Sequence, residues 1–164
     1  MAQKTYIARQ GQDADFAAVT ADSVSINAQS GVTTLGPIVK LSETVGVASF
    51  TDNTDATGTY EMTVGTIPAG ATFLYAAITA VVEFAGDTSA VITIGDGTDV
   101  DRYHTGTPDV FTTAAAGVAV GAPSGTLYHA AAKTPTLIVT GASDFTSIVT
   151  DGNGSVTVEL YYLT

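Results

Sequence analysis

Cysteine and tryptophan are absent from this chain of 164 residues, and its five bases face 16 acids. Without cysteine there is no disulfide framework, no thiolate metal site and no thiol nucleophile. A net charge of −11 and a pI near 4.1 repel phosphates. Nucleic acid and anionic membranes are therefore excluded as partners of the acidic body. Charged residues of both signs make up only 13% of the chain, about half the usual share. The longest apolar-leaning run, Phe73 to Ala85, contains Glu83 and is too short to span a bilayer. The first residues lack the apolar stretch of a secretory signal, so synthesis in a cytoplasm is expected.

What is present is 45% hydrophobic residues together with abundant threonine, alanine and glycine. Such a chain can build a core, and its content favours strands over helices. Charge is unevenly placed. Lys4, Arg9 and Lys40 balance Asp13, Asp15 and Asp22 within residues 1–40. The whole net charge thus falls on residues 41–164, whose only bases are Arg102 and Lys133. An N-terminal segment of different character precedes an acidic body.

Period-two alternation dominates that body. Thr72 to Phe84 places Leu74, Ala76, Ile78, Ala80, Val82 and Phe84 on one parity, with Phe73, Tyr75 and Val81 on the other. A strand apolar on both faces predicts a position inside a sheet. Further strands are predicted over Thr59 to Thr66, Ser89 to Ile94, Thr136 to Thr140 and Ser155 to Leu163. Ile67-Pro68-Ala69-Gly70 reads as a turn and Asp151-Gly152-Asn153-Gly154 as a hairpin. Helical segments are conceivable around Thr113 to Val120 and Tyr128 to Lys133, without clear amphipathicity. The fold class expected is all-β: an antiparallel sandwich or jelly roll over residues 58–164. Residues 1–57 are read as an extended N-terminal arm or strap with short strands.

Few residues invite chemistry. Asp96, Asp99 and Asp101, in the glycine-bearing loop from Gly95, are the best candidate ligands for Ca2+. The spacing is not that of an EF-hand, and aspartate with glycine is also the ordinary material of strand connections, which is the preferred reading. Asp87 and Asp109 join such a site only if the fold brings them close. His104 and His129 are the only histidines, and no GxSxG elbow accompanies them. No enzyme and no resident cofactor are expected. Tyr103, Tyr128, Tyr161 and Tyr162 could stack on sugars, but roles in a core or subunit interface are the preferred reading. Lys4, Tyr6, Ile7 and Arg9 form a basic, apolar-bearing stretch that suits an arm docking on a shell or a neighbouring subunit.

Three segments carry a resemblance: Thr66-Ile67-Pro68-Ala69-Gly70-Ala71, Ile92 to Tyr103 with its Gly-Asp-Gly and Asp-Val-Asp steps, and the closing Val156-Thr157-Val158-Glu159-Leu160-Tyr161-Tyr162. Together they are similar to small virion structural proteins of tailed bacteriophages, over about residues 59–164. The resemblance implies a β-sandwich that assembles on the phage particle, often as a trimer, as a capsid-associated auxiliary protein. It carries over no catalytic residue. The expectation is a capsid decoration, or cement, protein bound to the major capsid protein on the outer face of the virion. Head-fibre, neck or tail component, and receptor- or glycan-binding surface module, are the alternatives.

Overall fold

The computed structural model of the chain describes residues 24–28, 31–35, 37–111 and 122–164. Two compact units divide it, Met1–Leu35 and Gly36–Thr164. Within the first, β1 (Val24–Ala28) and β2 (Gly31–Leu35) pair antiparallel with Val24 opposite Leu35 and Ala28 opposite Gly31. Lys4, Tyr6, Ile7 and Arg9 lie outside the described residues, as does the conceivable helix at Thr113 to Val120.

The second unit is built on two antiparallel sheets. One has the order β3 (Ile38–Gly46), β9 (Ser155–Leu163), β6 (Thr72–Val82). The other runs β4 (Thr51–Asp52), β5 (Thr57–Glu61), β8 (Thr136–Gly141), β7 (Ala90–Gly95). Both orders are open. The fold is mostly β, as expected of an all-β chain, with one short helix, α1 (Phe145–Asp151), among the described residues. Buried side chains of both sheets and of α1 belong to one apolar cluster. Each strand supplies it by alternation, most regularly β9, where Val156, Val158, Leu160 and Tyr162 are buried and their neighbours are not.

Residues 38–57 lie in the second unit, where β3 pairs with β9 from Ile38–Leu163 to Gly46–Ser155. Its anchors Leu41 and Val45 sit four apart, a sparse alternation among polar residues. Several expectations are corrected. β6 does not run through the middle of its sheet; among the described strands it is an edge, and β9 takes the centre. Two register shifts, between Phe73 and Tyr75 and between Ile78 and Ala80, switch which parity faces the core. Phe73, Ala76, Ile78 and Val81 are consequently buried, and Val82 is exposed.

Asp151 to Gly154 makes no hairpin. Asp144 caps the start of α1 by accepting from the Thr146 N–H at 2.9 Å. Gly152, at φ 70°, ends the helix in the left-handed conformation, where its N–H reaches the Ile148 carbonyl. β8 and β9 belong to different sheets, so the chain needs a crossing element there, and α1 supplies it while burying Phe145 and Ile148. The expected turn at Pro68 is present: Ala71 N–H donates to the Pro68 carbonyl, and Gly70 takes φ 87°.

Candidate functional site

Residues 122–133 form no helix where they are described; they run as a strap between two parts of the second unit. Along one side, Ile67 and Lys133 exchange backbone hydrogen bonds, His129 bonds to Gly70 and Ala71, and the Phe73 N–H reaches the Leu127 carbonyl. Along the other, Ser124 N–H donates to the Arg102 carbonyl, Ser124 Oγ to Asp99 at 3.0 Å and Thr105 N–H to the Ala122 carbonyl. The aspartate loop after β7 and this strap are thereby stitched together.

Asp96 stands at the junction, its side chain only 3% exposed. Its Oδ1 accepts from the backbone N–H groups of Thr98 and Asp99, closing a tight turn in which Gly97 adopts φ 78°. Its Oδ2 faces two cations, Lys133 Nζ at 3.1 Å and Arg102 Nε at 3.7 Å. Burial by itself would raise the Asp96 pKa, but the turn hydrogen bonds and Lys133 outweigh it and hold the carboxyl below its ordinary value. Arg102 Nη2 also donates to the Thr126 carbonyl at 2.7 Å. The only two bases of residues 41–164 therefore converge on one carboxylate.

Against this cluster lies an aromatic layer. Tyr103 is fully buried with its ring 4.6 Å from that of Phe73 and 5.6 Å from that of His129. Neither Tyr103 Oη nor His129 Nε2 nor Arg102 Nε has a hydrogen-bond partner. Burial lowers the His129 pKa, the charges of Arg102 and Lys133 lower it further, and Asp96 alone opposes them. Imidazole is thus kept neutral at pH 7.

A pocket of about 320 Å³ opens here, lined by Asp96, Thr98, Asp99, Arg102, Tyr128, His129, Ala130, Ala131 and Lys133. A second cleft, about 520 Å³, is lined by Ser49, Thr51, Asn53, Thr59, Tyr60 and Glu61. There Asn53 Nδ2 is committed to Thr57 and Thr59, and the Tyr60 hydroxyl to Glu43.

The three aspartates proposed for Ca2+ are not gathered around one point. Asp96 turns to its two cations, while Asp99 and Asp101 share a hydrogen bond that raises the Asp101 pKa and lowers that of Asp99. Among the described residues no group of three or more His, Cys, Asp or Glu is placed to hold a metal ion. Asp87 instead accepts from the Thr88 and Ser143 N–H groups, and Asp109 from that of Phe111. His104 is buried, and its Nδ1 accepts the Gly106 N–H at 3.0 Å.

The four tyrosines separate cleanly. Tyr103 and Tyr162 are core residues. Tyr161 stacks on Tyr75 at 4.5 Å and donates its hydroxyl to Glu159. Only Tyr128, 54% exposed, leaves its ring open beside a pocket. Sequence reasoning missed the grouping of Arg102, His129 and Lys133 with Asp96. The available signal was the isolation of two bases in an otherwise acidic stretch. No helix among the described residues is long and apolar enough to cross a membrane. Comparison with protein-family models, curated proteins and solved structures finds no match for the chain.

Proposed function

We propose that this protein is a bacteriophage virion structural protein, a capsid decoration subunit that binds the outer face of the shell and stabilises it without turning over a substrate. One observation carries the reading. The strand that follows the first of the segments resembling phage virion proteins, β6, pairs with β9, which holds the third, and Tyr103, which ends the second, packs on Phe73 at the start of β6.

The finer fold assignment belongs to the same reading. In this reading the two open sheets pack as a β-sandwich, which is supported by the buried side chains that both contribute to one apolar cluster and would suit a rigid building block. Polar chemistry in the unit serves the scaffold. Asp52, Asp55, Asp87 and Asp144 each accept from a backbone N–H one or two residues on, which stiffens turns and element ends and leaves an acidic exterior. Such an exterior fits the outside of a particle better than a DNA-filled lumen.

Attachment works by mass action. A subunit that binds only the assembled shell stabilises it in proportion to RT ln(1 + [L]/Kd), and a trimer adds the gain of simultaneous contacts. The partner in this reading is the major capsid protein, and the contacts are made by Lys4, Tyr6, Ile7 and Arg9 together with loops at one end of the unit. The deciding measurement is copy number per virion, joined to rebinding of purified protein to shells that lack it. Hundreds of copies and a gain in thermal resistance support decoration. A dozen copies or fewer, sedimenting with tails or necks, replace it with the connector or fibre reading. Deleting residues 2–10 should weaken shell binding while leaving the β-sheet circular dichroism unchanged.

A further inference from the structure

The pocket between the aspartate loop and the strap has a lining that does not favour an ion. Its carboxylates, Asp96 and Asp99, are matched by Arg102 and Lys133, so the site carries no net charge in a chain of net charge −11. What it offers is a mixture of hydrogen-bond acceptors and donors within a small volume. Acceptors come from the carboxylates, donors from Arg102 and Lys133, and Thr98 supplies a hydroxyl with both capacities. His129, 3% exposed, is also among the lining residues, and its buried Nε2 has no hydrogen-bond partner. The methyl groups of Ala130 and Ala131 and the exposed ring of Tyr128 add apolar surface.

We propose that this pocket binds a single neutral pyranose ring, the terminal sugar of a surface glycan, with Tyr128 stacking against its C–H face and Arg102, Lys133 and Asp99 meeting its hydroxyls. A sugar hydroxyl donates and accepts at once, which is what a charge-balanced lining of both kinds can satisfy. An apolar face opposite a polar edge is likewise the shape that one exposed ring beside a polar pocket complements. The second cleft offers no equivalent, since its lining holds no cation and no exposed ring. A pocket of about 320 Å³ is at the small end of ligand sites, so one ring is bound weakly, with Kd on the order of 1 mM. Many copies on one particle would raise the avidity without any new contact. The inference goes beyond attachment to a shell and holds wherever in a particle the subunit resides.

The test is a titration of the isotope-labelled full chain followed by amide chemical shifts. The probes are glucose, galactose, mannose and N-acetylglucosamine, with acetate and phosphate as ionic controls. Saturable shifts confined to residues 98–102 and 127–133 with at least one neutral sugar are expected. Tyr128→Phe should keep the affinity, and Tyr128→Ala should weaken it about tenfold, the equivalent of a lost stacking contact. Because Tyr128 is exposed, both variants should retain the wild-type spectrum elsewhere. Absence of shifts with all four sugars overturns the proposal. So do equal shifts from acetate or phosphate, which would mark an ion site, or undiminished sugar binding by Tyr128→Ala.

Discussion

A side chain at Gly58 would occupy the space filled by the ring of Phe145: an added Cβ collides with Phe145 Cε1 and its neighbouring ring carbons. Gly58 lies on β5 opposite Val139 of β8, and Phe145 is the first residue of α1, fully buried. The helix that links the two sheets is seated through this contact. Gly58→Ala should therefore destabilise by about 3 kcal/mol, since overpacking forces the ring or the strand to move. Chemical denaturation measures it. Adding Phe145→Leu to Gly58→Ala should recover part of the loss, and a double variant no better than the sum of the singles would refute the coupling.

Asp96 and Lys133 are unequal partners. The carboxylate is buried and serves two cations and a turn, while the Lys133 side chain is 33% exposed. Asp96→Ala should cost about 3 kcal/mol, because it leaves two cations without their counter-charge and two N–H groups without an acceptor. Lys133→Met should cost only about 1 kcal/mol, the solvent having already screened the pair. Denaturant midpoints that show the reverse order would contradict the central place given to Asp96.

Acidification should loosen the strap before it unfolds the sheets. His129 has a folded pKa below its ordinary 6.5, so the unfolded chain takes up this proton at a higher pH than the native chain does. Stability from this group is fully present above 6.5 and is lost as the pH falls from there toward the lowered folded value. Asp96, whose pKa is also lowered, adds a second loss below the ordinary carboxylate value of 3.8. Hydrogen exchange at pH 7.5 and pH 5, each referred to the intrinsic rate at that pH, should reveal lower protection over residues 124–133 at the lower pH, and His129→Gln should remove most of that difference.

Glu43 connects the sheets by hydrogen bonds. From β3 its carboxylate accepts the Tyr60 hydroxyl at 2.7 Å, the Thr63 N–H at 2.9 Å and the Thr63 hydroxyl at 2.6 Å. Burial would raise its pKa, yet these donors hold it below the ordinary value. Glu43→Ala should cost about 2 kcal/mol and Glu43→Gln less, because an amide keeps one acceptor oxygen. Thermal melts of the two variants, both compared with Ser42→Ala, separate this role from a general effect on β3.

Sequence alone determined the strands from β5 onward and little of their arrangement. The alternation of β9 was legible from end to end, and the Pro68 turn from its proline and glycine, because both are local preferences of backbone and side chain. β3 escaped notice since its core anchors are sparse, and β6 was placed in a sheet interior because bulges that reset its facing leave no mark on composition. Asp151 to Gly154 reads equally well as hairpin or helix end. Only the assignment of β8 and β9 to different sheets made it the latter. The aspartate loop, the histidine and the lysine were each visible as residues, but their meeting was not: Asp96 and Lys133 are brought together by cross-strand and strap pairings that depend on closing long loops. Local chemistry writes elements into a chain, whereas a pocket exists only once distant segments have been fixed beside one another.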